Sequence, residues 1–180
     1  MRMVKNSWLF LVLLVSTSLN AQVLATVEQV KSASFSESTQ FISADITLNK
    51  NQADTIEKIS GVRVRNFQQK VWLAKQQDKM LGWLIIDEVI GKHEFITYSM
   101  ALNTNGSVKR IDIMEYKETY GGQVRNQEWL MQFVGKLYGA KLKLDDDIVN
   151  ISGATLSCKH IADGVKRLLS FYEVVLKKNA

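Results

Sequence analysis

Small and hydroxyl-bearing residues are concentrated in residues 152–157, which read SGATLS and precede an apolar segment with helical periodicity. Glycine and alanine allow a bulky ligand to approach the backbone closely. The hydroxyl groups of Ser152, Thr155 and Ser157 are able to cap a helix or to donate to an anion. The unpaired N–H groups of a first helical turn also attract phosphate. The segment therefore predicts either a well-capped helix or a helix N-terminus that binds a phosphate group.

A second polar segment, residues 118–122, reads ETYGG. Glu118 and Thr119 carry a carboxylate and a hydroxyl group, and Gly121 and Gly122 give the backbone freedom to bend around a ligand. Such a loop is able to contact a ring system or a ribityl chain. The same composition is also typical of a solvent-exposed loop, so this segment alone does not choose between the two interpretations.

Regular elements are predicted on both sides of these segments. The spacing of apolar residues predicts an amphipathic helix directly after residues 152–157. Residues rich in β-branched and aromatic side chains predict strands at 82–89 and 93–102 and a third strand through residues 108–113, and the turn residues between them favour an antiparallel meander. A short helix is expected at 128–134. The predicted fold class is α+β, a twisted antiparallel sheet with packed helices.

The first 25 residues have the features of a signal peptide. Arg2 and Lys5 precede an unbroken apolar stretch from Trp8 to Val15, which is shorter than the ~18–20 residues of a membrane-spanning helix. Small and polar residues follow, and both Ala21 and Ala25 fit the position before a cleavage site. The segment predicts cleavage and export to the periplasm. An uncleaved N-terminal helix that anchors the protein in the membrane is the alternative.

The rest of the chain is predicted to comprise a helical segment at 26–61 and one domain at 62–180. Without the two cations of residues 1–25, the formal net charge falls from +5 to +3. No run of Lys and Arg is interleaved with aromatic residues, so the sequence does not indicate a nucleic-acid partner. One cysteine and two histidines exclude an intramolecular disulfide framework and most metal sites built from these residues.

Titratable residues on the last predicted helix are interpreted as structural. Cys158 is expected to be a small hydrophobe that faces the sheet, in preference to a reactive thiol with a lowered pKa. His160 is expected at the surface. Lys159, Lys166 and Arg167 are expected to form the solvated face of the helix. No catalytic residue and no metal ligand is predicted.

Together, in this order and spacing, the two polar segments resemble the FMN-binding domain family. That family includes the periplasmic flavin subunits of the sodium-pumping quinone reductase and of the related Rnf complex. The resemblance extends from about Val71 to Leu169. Its most specific part is ISGATLS at 151–157, and it is supported by YKETYGG at 116–122 and by WLMQFVGK at 129–136.

The resemblance implies that Thr155 carries FMN through a phosphoester bond, attached by an FAD:protein FMN transferase. The residues that match the family pattern are, around the phosphate, Ser152, Gly153, Ala154, Thr155 and Ser157, and, near the flavin or its tail, Glu118, Thr119, Gly121 and Gly122. The resemblance further implies an exported electron-transfer protein with membrane or periplasmic redox partners. The chain is then a redox carrier or a flavin subunit rather than a stand-alone enzyme.

Two positions depart from the family pattern. Val149 stands where the family has an acidic residue three positions before the serine, and Asp147 lies two residues further upstream. Tyr120 stands where members of the membrane complexes have proline. Three interpretations therefore stay open: covalent FMN, noncovalent FMN at the same site, and a periplasmic accessory protein that keeps the fold without the cofactor. A further alternative, which the sequence does not separate from the first interpretation, is the flavin subunit of a multi-subunit reductase.

Overall fold

The computed structural model describes residues 22–35 and 39–179, so most of the predicted signal peptide lies outside the described residues. The strands are β1 (Gln22–Val23), β2 (Gln40–Ser43), β3 (Ile46–Thr47), β4 (Gln68–Gln76), β5 (Lys79–Ile90), β6 (Phe95–Asn103) and β7 (Val108–Tyr116). The helices are α1 (Val27–Ser34), α2 (Lys50–Ser60), α3 (Gln127–Leu130) and α4 (Thr155–Phe171). Within the described ranges, no helix combines the length and the apolar character needed to cross a membrane.

The strands form an antiparallel sheet in the order β1-β7-β6-β5-β4-β2, and β3 pairs with the first residues of β4. The predicted meander is confirmed, because β5, β6 and β7 are joined by short turns and each pairs with the next. The turn between β6 and β7 is closed by a 2.9 Å hydrogen bond from the Asn103 N–H to the Ser107 carbonyl. Gly106 adopts a φ of 81° there, a conformation that glycine accepts at little cost. The predicted α+β fold class is therefore confirmed.

The segment before β4 was predicted to be helical at 26–61; it contains two short helices, α1 and α2, and each of them begins with a capping box. Thr26 and Gln29 exchange side-chain and backbone hydrogen bonds at the start of α1, and Asn49 and Gln52 do the same for α2. The segment also supplies β2 and β3, which the sequence analysis did not predict. These strands are only four and two residues long, too short for a recognisable alternation of apolar and polar residues.

Apolar side chains pack on both faces of the sheet. Successive strand residues point to opposite faces, so Ile85 and Met100 pack in the larger core with α2 and α4, whereas their neighbours Leu84 and Ala101 pack in a smaller core with α1. The larger core also contains the short helix predicted at 128–134, which is present as α3 followed by a 3-10 turn at Met131–Phe133. The packing on this face fixes α4, whose first turn contains residues 155–157.

Helix α4 approaches the sheet closely at Gly164. A Cβ atom added to Gly164 would lie 2.5 Å from the Tyr98 Oη and 2.7 Å from a Val89 methyl group. Tyr98 is fully buried and donates to Asp87 Oδ2 at 2.8 Å, and Arg167 forms an ion pair with the same carboxylate. The prediction that Arg167 lies on a solvated face is therefore wrong. Burial, followed by the Asp87 charge, raises the pKa of Tyr98 well above its ordinary value.

Replacing Gly164 with alanine is expected to lower the free energy of unfolding by about 2 kcal/mol, because the added methyl group overpacks the interface between α4 and the sheet. Urea denaturation measures the loss. The Tyr98→Phe background removes the nearest atom, so the same substitution is expected to cost roughly 1 kcal/mol less there. Equal penalties in the two backgrounds would show that the Tyr98 hydroxyl group is not the source of the crowding.

Candidate flavin site

The first turn of α4 has no side-chain cap. Ala154 is the N-cap residue, and no side chain accepts from the N–H groups that follow it. The hydroxyl groups of Ser152, Thr155 and Ser157, expected from the sequence to cap the helix or bind an anion, therefore do not cap it. The first intrahelical bond runs from the Cys158 N–H to the Ala154 carbonyl at 2.9 Å. The preceding N–H groups of the turn are the part of a helix that best attracts an anion.

Thr155 is the first residue of α4 and its side chain is exposed. Ser152 and Gly153 precede it on an exposed turn, where Gly153 has a φ of 81°. Ala154 is 4% exposed and Ser157 is also 4% exposed, so these two residues face inward. Thr155 is thus accessible from the solvent, while Ala154 and Ser157 pack the turn against the domain.

The ETYGG loop packs directly on this turn. Gly121 has a φ of 83°, and a Cβ atom added to it would lie 3.2 Å from the Ala154 Cβ and 2.8 Å from the Tyr116 Oη. The Tyr116 Oη donates to the Tyr120 carbonyl at 2.5 Å and lies 3.4 Å from the Ser157 Oγ. Tyr116 therefore contacts both segments, which are far apart in the sequence and adjacent in the fold. Burial is the main cause of the raised pKa of the Tyr116 hydroxyl group.

The side chain of Glu118 points to the turn between β5 and β6. Its Oε1 accepts from the His93 N–H at 2.6 Å and from the Glu94 N–H at 3.0 Å. A Cβ atom added to Gly91 would lie only 2.5 Å from the Glu118 Oε1, so the carboxylate packs closely on this glycine. One oxygen of Glu118 is thus committed to the protein backbone. The contact predicted between Glu118 and the flavin or its tail stays a prediction.

The remaining residues of the loop line its exposed side. Thr119 is exposed and Tyr120 is 82% exposed. Gly122 accepts from the Arg125 Nε at 3.0 Å, and the Arg125 guanidinium lies 5.7 Å from the centre of the Tyr116 ring. The sequence analysis did not single out Arg125 or Tyr116, although Arg125 is a cation only three residues after the second glycine. This cation adds positive charge beside a loop predicted to contact a phosphate-bearing ligand.

The acidic position of the family pattern is not rebuilt by Asp147. The Asp147 carboxylate pairs with Lys136 at 2.9 Å and accepts the N–H of Lys143 at 2.8 Å. Burial alone would raise the pKa of Asp147, but these partners outweigh it and lower the pKa. Val149 is 66% exposed, and its carbonyl accepts from the Trp129 indole N–H at 2.7 Å. An exposed valine thus stands at this position.

Three other titratable residues of α4, Cys158, Lys159 and His160, are buried or have partners. Cys158 is fully buried in the larger core, as expected, and burial raises the pKa of its thiol instead of lowering it. His160 is half-buried and its Nδ1 contacts the Ile90 carbonyl at 2.5 Å, so the expectation of a surface histidine is wrong. Lys159 pairs with Asp163 at 2.7 Å. In residues 22–35 and 39–179, no group of His, Cys, Asp and Glu has the arrangement of a metal site.

The Glu118 contacts predict a pH-dependent contribution to stability. Burial raises the pKa of this carboxyl, but the backbone N–H groups of Glu94, His93 and Lys92 outweigh that effect, so the pKa lies below its ordinary value of 4.5. A carboxyl with a lowered pKa stabilises the fold above its unfolded-state pKa, and that contribution is lost as the pH falls through the folded-state pKa. Glu118→Gln is expected to lower the free energy of unfolding at pH 7 by about 1 kcal/mol.

Urea denaturation at pH 7 and pH 3 checks this expectation. The difference between the wild type and Glu118→Gln is expected to be smaller at pH 3 than at pH 7, because protonation below the ordinary pKa of 4.5 begins to remove the charge that the backbone N–H groups favour. Glu128→Gln is the matched control, since Glu128 is exposed, and it is expected to match the wild type at both values. A difference between wild type and Glu118→Gln that does not change with pH would contradict the proposed role of the charge.

Comparison with known proteins gives one family match and a match to a solved structure. Residues 91–170 match the sequence model of the FMN-binding domain family. Among solved structures, the crystal structure of NqrC from Shewanella oneidensis superposes with a TM-score of 0.56 at 14% sequence identity, covering 87% of this chain and 91% of that chain. At this identity the similarity shows a shared fold. No curated protein sequence matches the chain. The matched region contains both polar segments, and the resemblance of this chain to the FMN-binding domain family is thereby confirmed for residues 91–170.

Proposed function

We propose that this chain is an exported electron-transfer protein that carries FMN on Thr155 through a phosphoester bond. The single observation that carries the proposal is the packing of Gly121 on Ala154, which joins the ETYGG loop to the uncapped first turn of α4. The family match supports FMN as the ligand, and the similarity to NqrC supports an electron-transfer role with partners in a membrane redox complex.

The residues at the site fit FMN by their chemistry. The first turn of α4 offers backbone N–H groups without a side-chain acceptor, which suits a phosphate. Thr155 offers an exposed hydroxyl group at that turn, and Gly121 and Gly153 leave backbone without side chains beside it. When bound, FMN would supply one- and two-electron redox chemistry, and the protein would supply position and local charge.

Attachment requires a separate enzyme, because a threonine hydroxyl is a weak nucleophile by itself. An FAD:protein FMN transferase would bring FAD. The Thr155 oxygen would attack the phosphorus of the FMN half, the bond between the two phosphates would break, AMP would leave, and the hydroxyl proton would pass to the solvent. The positive end of α4 would then stabilise the charge of the new phosphodiester.

Co-expression with an FAD:protein FMN transferase tests the proposal. The denatured protein is expected to show in-gel flavin fluorescence and an intact mass increased by one FMN less one water. Unmodified protein that still binds free FMN would replace the covalent proposal with the noncovalent one. Unmodified protein that does not bind free FMN would overturn the flavin proposal and favour the accessory protein, for which the exposed Val149 is the supporting observation.

Export and signal cleavage are part of the same proposal, and the structure favours one of the two candidate cleavage sites. Gln22 and Val23 pair with Tyr116 and Glu115 of β7, and the Leu24 N–H donates to the Met114 carbonyl at 2.8 Å. Cleavage after Ala25 would remove this strand. Cleavage after Ala21 would keep it beside Tyr116, the residue that contacts both polar segments.

We therefore expect the exported protein to begin at Gln22. Intact-mass analysis and N-terminal sequencing of protein recovered from the periplasm measure the first residue directly. A mature chain that begins at Thr26 would show that β1 is dispensable for the exported fold. A chain that retains residues 1–21 would support the membrane-anchor alternative.

A further inference from the structure

A cleft of about 960 Å³ lies outside the flavin site. It is formed where β4 and β5 separate, because their pairing ends at Lys70 and Ile86 while β5 continues to Ile90. Segment 61–70 forms one wall and the middle of α4 forms the other. None of the residues 118–122 or 152–157 lines the cleft. Its volume falls in the range of small-molecule sites.

The wall formed by segment 61–70 is basic. It contains Arg63, Arg65 and Lys70 and no acidic residue. All three side chains are exposed, and within the described ranges none of them forms an ion pair. A group of exposed cations without carboxylate partners favours an anionic ligand at this wall.

The opposite wall is neutral by comparison. On α4, Lys159 pairs with Asp163 and Arg167 pairs with Asp87. The two other carboxylates of the lining accept hydrogen bonds, Asp45 from the Val71 N–H at 3.2 Å and Glu88 from the Thr97 hydroxyl at 3.4 Å. Both carboxylates are exposed, and within the described residues neither is paired with a cation. Among the residues that line the cleft, the cations without a carboxylate partner are those of segment 61–70.

Apolar side chains also line the cleft, and Ile86, Ile90 and Phe95 of β5 and β6 lie on the sheet face that carries the smaller core, opposite α4. Ile46, Val62, Ile86 and Ile90 are half-buried, and Phe95 is 51% exposed although it lies in a strand. An exposed aromatic ring beside half-buried aliphatic groups is suited to the apolar body of a ligand. The combination of an apolar surface and a basic wall is complementary to a molecule that has both an apolar body and an anionic group.

We propose that this cleft is a second ligand site, and that it binds a small organic anion with an apolar body and one carboxylate, sulfonate or phosphate group. The anionic group lies against Arg63, Arg65 and Lys70, and the apolar body packs on Phe95 and Ile90. The cleft adjoins the proposed flavin site, because Ile90 lines the cleft and the turn that follows Ile90 donates hydrogen bonds to the Glu118 carboxylate. The two sites share no residue.

Fluorescence titration with 1-anilinonaphthalene-8-sulfonate tests the proposal, because this probe combines an aromatic body with one sulfonate group. One molecule is expected to bind per chain. The triple variant Arg63→Gln/Arg65→Gln/Lys70→Gln is expected to bind about tenfold more weakly, since three partly exposed charge contacts are lost. Phe95→Ala is expected to weaken binding several-fold. N-phenyl-1-naphthylamine, the analogue without the sulfonate, is expected to bind the wild type and the triple variant equally.

A matched variant distinguishes binding at this cleft from the general attraction between a basic protein and an anion. Lys75→Gln/Lys79→Gln/Lys143→Gln removes the same charge from residues outside the cleft, and it is expected to bind the sulfonate within twofold of the wild type. Thermal unfolding confirms that all variants are folded. Absence of binding to the wild type, or equal weakening by the two triple variants, would overturn the proposal. A sulfonate affinity that Phe95→Ala leaves unchanged would also overturn it.

Discussion

Replacing Thr155 with valine is expected to abolish covalent flavin attachment while leaving the fold intact. Valine keeps the branched shape of threonine but has no hydroxyl oxygen, so no phosphoester bond can form. Because residue 155 is exposed at the first position of α4, the substitution is expected to change the free energy of unfolding by less than about 0.5 kcal/mol. After co-expression with an FMN transferase, the denatured variant should have the mass of the unmodified chain and no in-gel fluorescence.

Two hydroxyl variants of the same turn serve as controls. Thr155→Ser keeps the nucleophilic oxygen and is expected to retain covalent flavin, although at a lower level. Ser152→Ala removes a neighbouring exposed hydroxyl group and is expected to retain one FMN per chain. Covalent flavin on Thr155→Val would place the bond on another residue. Loss of flavin from Ser152→Ala alone would identify Ser152 as the attachment residue.

The elements around the site were predictable where the signal is local. The β-branched and aromatic residues of β5, β6 and β7, the turn residues between these strands and the apolar spacing of α4 are all local signals, so the meander and the last helix are predicted correctly. Strands β2 and β3 are too short to show a period, and they are strands only because they pair with β4. Their existence depends on tertiary contacts that no local pattern records.

The same distinction separates the site residues that the sequence identifies from those that it does not. Residues 152–157 are recognisable because small and hydroxyl-bearing residues before a helix are a local pattern. The partners of Glu118, Arg167 and His160 lie 25, 80 and 70 residues away in the chain. Their side chains are committed to the β5–β6 turn and to the end of β5, which only the fold can show. Tyr116 was not singled out for the same reason, since Ser157 is 41 residues away.

Replacing Gly121 with alanine is expected to separate the two polar segments and to lower flavin loading several-fold. A Cβ atom at this position meets the Tyr116 Oη at 2.8 Å and the Ala154 Cβ at 3.2 Å, and the φ of 83° is itself unfavourable for alanine. Together the strain and the crowding are expected to lower the free energy of unfolding by about 2–3 kcal/mol. Urea denaturation measures the stability, and intact-mass analysis after co-expression with the transferase measures the loading.

Gly139→Ala isolates the cost of the backbone conformation, because Gly139 has a φ of 90° and a Cβ atom there would meet nothing within 4 Å. This variant is expected to lose only about 1 kcal/mol and to load flavin like the wild type. If Gly121→Ala and Gly139→Ala behave alike in both measurements, close packing of Gly121 on Ala154 is not required for flavin loading. If only Gly121→Ala loses flavin, the ETYGG loop and the first turn of α4 act as one site, because the two variants share the backbone strain and differ in the contacts with Tyr116 and Ala154.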